Sequence, residues 1–224
     1  GYQTLGDLTV TYNVTGDSTG YRRWLDLRTA TAYTEYCSDG CRQHRKYYVS
    51  KDCDAMIIEI GSDLEASVSF SVELTREHNC LVETSPEGYL KIGGTLDSGT
   101  ENPGTRYSAY ATVITEGEQS SQQTGGNSIC VSEADKAWII ISAATDYFYG
   151  EEYDTAAKEK IQEISAGFDP DRLWSSSVKA HQELYSRAGL HFESDGQTSC
   201  LPTDERLYAY KEGNADNALA SLYY

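Results

Sequence analysis

Positive charge is scarce in this sequence. Its 224 residues hold 18 Lys and Arg against 35 Asp and Glu, a formal charge of −17. Neutralising a phosphate backbone needs clustered cations, so this balance excludes a general nucleic-acid binder. It also argues against docking to anionic lipid. No apolar run approaches the roughly 18 residues that a membrane-spanning helix requires. Methionine occurs once, and phenylalanine and proline four times each. The four histidines, His44, His78, His181 and His191, never stand four residues apart, which excludes a helical metal pair. No cofactor motif and no internal repeat are present. What is abundant is tyrosine, at 18 residues, and hydrophobic residues reach 39%, enough to fold. Tyrosine has an apolar face and a polar tip, which suits half-wet strands and sugar surfaces. Plain β propensity is the simpler reading.

Six cysteines are present: Cys37, Cys41, Cys53, Cys80, Cys130 and Cys200. Their even number, the acidic chain and a glycosylation sequon at Asn13-Val14-Thr15 point to a secreted, oxidising setting. Six cysteines allow 15 pairings. Cys37 and Cys41 flank the turn triplet Ser38-Asp39-Gly40, so a disulfide closing that hairpin is expected, with two longer bridges among the rest. A zinc site from Cys37, Cys41, His44 and Cys53 is the competing reading, but its spacing departs from finger patterns. No signal peptide is visible. The opening Gly1–Leu8 already reads as folded sequence, so the N-terminus is expected to be processed or trimmed.

The first two thirds read as strands. Residues 7–14 alternate apolar and polar at period two, and Val68, Phe70, Val72 and Leu74 share one side of another strand. Further strands are expected at 21–29, 31–36, 45–49, 56–60, 89–92, 107–115, 128–131 and 137–143, separated by glycine-rich turns. This is the pattern of a large antiparallel β-sandwich. Residues 116–127 read as a polar hairpin loop without structure of its own. After Asp146 the spacing becomes helical over 153–165. Asp169-Pro170 is a helix start, with an N-cap acceptor and proline in the first turn. That helix is expected to run to about Ala188, followed by a linker carrying Leu201-Pro202-Thr203-Asp204-Glu205-Arg206-Leu207. A last helix begins near Asn214 and stops at Tyr224 after barely two turns. So short a helix is marginal alone, which implies that the chain continues. The expected domains are a sandwich at 1–147, a helical linker at 148–213 and the start of a further helical domain at 214–224.

Two motifs mislead. Gly16-Asp17-Ser18-Thr19-Gly20 matches G-x-S-x-G, but strands lie on both sides, where a nucleophile elbow needs a helix after it. Asp204-Glu205 is an adjacent carboxylate pair, yet Arg206 follows at once, so a local salt bridge or loop-locking role explains it as well as glycosidic chemistry does.

Five segments stand in order along the chain: residues 21–32 (YRRWLDLRTATA), Tyr47–Ser50 with Asp54–Ile58, and residues 134–147 (ADKAWIIISAATDY). Then come His181 with Tyr185, Arg187 and Leu190, and LPTDERL at 201–207. Together they resemble glycoside hydrolase family 95, the inverting α-L-fucosidases. The resemblance implies a large β-sandwich, a helical linker and then an (α/α)6 barrel. In such enzymes the general acid and the residues that activate water lie in the barrel. No position here matches them, so no catalytic residue and no metal is assigned, and the binding residues stay unnamed. These residues alone are expected to be inactive. The family's opening segment has no counterpart before Tyr2, nor the barrel after Tyr224. The implied partners are a fucosylated glycan, met through the complete protein, and the rest of the chain. The alternative is a non-catalytic structural or glycan-binding sandwich module that assembles with copies of itself.

Overall fold

A computed structural model describes residues 3–13, 16–190, 192 and 201–222 of the chain. It forms two units, Gly1–Ala180 and His181–Tyr224. The first is mainly β. Its strands are β1 (Asp7–Tyr12), β2 (Thr19–Asp26), β3 (Thr31–Ser38), β4 (Cys41–Ser50), β5 (Ala55–Ser62) and β6 (Val68–Thr75). They continue with β7 (Leu81–Thr84), β8 (Leu90–Thr95), β9 (Arg106–Glu116), β10 (Ser121–Gly125), β11 (Ser128–Ala134) and β12 (Lys136–Thr145). These make a four-stranded sheet in the order β1-β6-β11-β10 and an eight-stranded sheet in the order β2-β3-β4-β5-β12-β9-β8-β7. Every pairing is antiparallel, as the alternating pattern predicts.

Strand alternation explains the packing. On β12, Ala137 and Ile139 face the smaller sheet with Ile58 and Ile60 of β5, and there they meet Phe70 and Val72 of β6. Trp138, Ile140 and Ala144 face the other way and join Ile57 and Tyr110 in a second cluster. That cluster is closed by α2 (Tyr153–Ala166), which buries Ala157, Ile161 and Ile164 at i, i+4 and i+7 spacing. The larger sheet is therefore covered on both faces at its centre. This is why β12, and β5 apart from Glu59, read as apolar runs rather than as alternation. Before α2 come a short helix, α1 (Asp146–Tyr149), and a 3-10 turn at Gly150–Glu152. After it, α3 (Pro170–Tyr185) starts where predicted, with Asp169 Oδ1 accepting the Arg172 N–H at 3.0 Å. Trp174 of α3 donates to Thr31 Oγ1 at 3.1 Å, tying this helix to β3.

Several expectations need correction. The stretch 116–127 is not structureless, because Ser121–Gly125 pairs with β11 as an edge strand. It is exposed on both sides, so it carries no hydrophobic alternation to read. The short edge strand β7 half-buries one face, with Val82 against the core, but four residues are too few to show a period. The strand expected over 21–29 ends at Asp26, whose Oδ1 accepts the Arg28 N–H at 2.9 Å and turns the chain. The Cys37–Cys41 bridge is absent. Asp39 and Gly40 form the turn by themselves, at φ +53° and +76°, the geometry of a two-residue hairpin loop. Ser38 then pairs with Cys41, and Cys37 with Arg42. Adjacent strand residues point to opposite faces, so Cys41 is buried while Cys37 is exposed. Cys53, Cys80 and Cys130 are also free thiols. Cys200 lies outside the described residues, as do Val14 and Thr15 of the sequon and the last residues of the closing helix.

The second unit contains α4 (Thr203–Lys211) and α5 (Asn217–Leu222). The LPTDERL segment thus opens a helix, with Asp204 and Glu205 in its first turn, where acidic side chains suit the helix dipole. Among the described residues, no helix is long and apolar enough to cross a membrane.

Candidate functional site

The polar side chains of the first unit gather where the helical connector meets the larger sheet. Asp154, in the first turn of α2, sits over β8 and β9. Its carboxylate accepts from Ser108 Oγ at 2.6 Å and Tyr110 OH at 3.1 Å. Lys91 Nζ lies 3.1 Å away and also reaches Glu83 at 3.3 Å. Partial burial pushes the Asp154 proton affinity up. The hydrogen bonds from Ser108, Lys91 and Tyr110 outweigh it, so the carboxyl is held below its ordinary range. Nearby, Arg106 donates from Nε to Asp146 at 2.9 Å and from both terminal nitrogens to Glu151 at 2.8 and 2.6 Å. That fork lowers the Glu151 proton affinity, and a hydrogen bond from Lys158 lowers that of Glu87. A general acid working near neutrality needs the opposite shift. These carboxylates are anchors that pin the connector to the sheet.

A cleft of about 490 Å³ lies between α2, α3 and the turn after β4. Asp52, Asp54, Glu163 and Asp169 line it, with Lys160 and Arg172. Lys160 is already engaged. It bonds Asp54 and the Ala143 carbonyl (3.2 Å) and lies 5.0 Å from the Tyr149 ring centre. Among the described residues, no three of His, Cys, Asp and Glu converge as a metal-binding group. Cys37, Cys41, His44 and Cys53, the competing zinc set, are spread over two faces and both ends of a hairpin, with His44 lying over Gly61.

In the second unit the sequence-flagged residues separate. Asp204 and Glu205 are exposed, while Arg206 is buried. Arg206 pairs with Asp216, ten residues on, through Nε–Oδ2 at 2.8 Å and Nη2–Oδ1 at 2.9 Å. The two side chains are only 6% and 4% exposed. Asp216 Oδ1 also accepts the Leu219 N–H at 2.8 Å and so caps α5. The pair therefore joins two helices, and Asp216 is the residue that sequence reasoning missed. Its signal was an Asp just before a helix start, which reads as a cap and says nothing about Arg206. His181 stacks on Tyr185, one helical turn away, with ring centres 5.1 Å apart. Asn13 is exposed immediately after β1.

Fold and polar networks together define a β-sandwich domain with a helical connector clamped to it. Residues 1–149 match the family described as glycosyl hydrolase family 65, N-terminal domain, and the chain belongs to that family. Alpha-L-fucosidase 2 of Arabidopsis thaliana is 24% identical over 255 residues, covering 100% of this chain and 30% of that protein. Probable alpha-fucosidase A of Aspergillus niger is 27% identical over 236 residues, covering 94% of this chain and 28% of that protein. The chain thus spans less than a third of the length of these relatives. Among solved structures, a putative kojibiose phosphorylase from human microbiome superimposes over 80% of this chain and 27% of its own, with a TM-score of 0.53 at 14% identity. That likeness concerns the fold. Both sequence relatives carry fucosidase names, the class that the five segments resemble.

Proposed function

We propose that this chain is the non-catalytic sandwich and linker of a secreted α-L-fucosidase-like glycoside hydrolase that releases terminal fucose with residues in a barrel outside it. The observation that carries this reading is the pattern of coverage. Two fucosidase-named relatives align along nearly the whole chain, yet it accounts for only 30% and 28% of them. The side-chain chemistry agrees. The Asp154, Glu151 and Glu87 carboxylates are neutralised by lysine or arginine and serve attachment. In this reading residues 1–147 buttress the barrel, 148–213 form the linker, and Asn13 carries a glycan. The test compares the full-length protein with residues 1–224 alone on an aryl α-L-fucoside. Turnover with inversion at the anomeric carbon is expected from the full-length protein and none from residues 1–224. Fucoside hydrolysis by residues 1–224 would overturn the assignment.

A further inference from the structure

The chain's negative charge is not spread evenly. Between Thr19 and Ser50 stand Arg22, Arg23, Arg28, Arg42, Arg45 and Lys46, against only Asp26, Glu35 and Asp39. This span of β2, β3 and β4 is net positive in a chain of −17. On its outer face Arg22 pairs with Glu35 and Lys46 with Glu59, while Arg42 is exposed near the hairpin tip. The inner face is different.

Register places Arg23 opposite Thr34, and Thr34 opposite Arg45, so the three side chains form one row across β2, β3 and β4. The face is fixed by Arg45, whose guanidinium carbon lies 3.8 Å from the Tyr12 ring centre and 5.1 Å from that of Tyr36. Tyr12 ends β1, the edge of the smaller sheet. On this face of β3 Thr34, Tyr36 and Ser38 are buried, whereas β2 beyond them is exposed along its length except at Asp26. Arg45 is half-buried, and Nη2 donates to Tyr36 OH at 2.7 Å. Its charge is met by tyrosines rather than by a carboxylate. Nε is sealed from solvent without a partner, and so is the hydroxyl of Ser38, further along the same face of β3. Arg23 is exposed and has no hydrogen bond or ion pair among the described residues. Taking a guanidinium partly out of water is costly without an anion, and two aromatic faces offset only part of that. Two arginines, roughly 10 Å apart at their backbones with a hydroxyl between, can close on one small oxyanion.

We infer that the row Arg23–Thr34–Arg45 binds the anionic substituent of an acidic glycan, a sulfate ester or a sugar carboxylate. The glycan half of this rests on the glycoside hydrolase reading above; the anion half rests on the row itself. Planar guanidinium forks match both oxyanions, and the tyrosines beside them offer apolar faces to a pyranose ring.

The test is calorimetric titration of the full-length protein with a fucose sulfate, glucuronate, neutral fucose and inorganic sulfate. At least one acidic sugar is expected to bind more tightly than neutral fucose, and to weaken as salt rises. Which of the two acidic sugars binds identifies the source of the anion. Arg23→Ala should weaken binding by roughly tenfold with an unchanged melting temperature, since a charge-assisted hydrogen bond is lost and no fold contact is. Thr34→Val should weaken it less. Unchanged affinity in Arg23→Ala overturns the inference, as does binding of inorganic sulfate with neither acidic sugar. A full-length structure in which a carboxylate of the same chain caps Arg23 and Arg45 overturns it too. Fucoside turnover without acidic-sugar binding removes this inference and leaves the enzyme reading intact. Arg23-dependent binding without turnover does the reverse.

Discussion

Replacing Arg206 by alanine leaves the Asp216 carboxylate buried at 4% side-chain exposure with its cation gone. Breaking a buried, bidentate pair from one side costs about 3–5 kcal/mol. The described part of the second unit buries only Leu219 besides this pair, so its surroundings are thin. The lower end, about 3 kcal/mol, is the appropriate figure. Asp204→Ala removes an exposed carboxylate in the first turn of α4, worth only about 0.3–1 kcal/mol through the helix dipole. Amide hydrogen exchange over 203–222 separates the two. Arg206→Ala should lower protection in α4 and α5 by roughly a hundredfold, because each 1.4 kcal/mol is a factor of ten. Asp204→Ala should lower it by about fivefold at most. Asp216→Asn should fall between them, since an amide oxygen can still cap Leu219 while the charge is lost. The reasoning is refuted if Arg206→Ala keeps protection within threefold of the parent, or if Asp204→Ala matches it.

Two further outcomes test the first unit. Ile161→Ala empties a fully buried position between α2 and the larger sheet and should cost about 2–5 kcal/mol, read as a lower denaturant midpoint; a loss under 1 kcal/mol would mean that the helix is not clamped there. For Asp154 the folded carboxyl is held below its ordinary value of 3.8, so its stabilisation is complete above about pH 4 and is lost as pH falls further. Asp154→Asn should therefore melt lower than the parent at pH 7 and 5, with the gap closing below pH 4; a gap of equal size at pH 2.5 would contradict the network.

The fold was legible where burial is one-sided. Val68, Phe70, Val72 and Leu74 announce β6 because every second residue enters the core. Residues 56–60 and 137–143 read as strands, but their two-sided burial does not show, since an apolar run does not say what covers each face. Edge strand β10 was invisible because neither face is buried, and β7 because four residues with Val82 alone packed on the core are too few to show a period. The Cys37 hairpin was misjudged by one residue of turn length, which in a strand reverses the face of a side chain. The carboxylate networks could not be read at all. Asp154 meets Ser108 and Lys91 across 46 and 63 residues, and only the pairing of β8 with β9 brings those two together.

The double cover of the larger sheet has a consequence for synthesis. All its strands are complete at Thr145, yet Ile57, Trp138 and Ile140 wait for Ala157, Ile161 and Ile164. At about 5–20 residues per second, some 20 further residues leave that face uncovered for roughly 1–4 s on the ribosome. A released chain that ended just after Thr145 would present a finished sheet with one greasy side, and helix α2 works as the closing latch on that face.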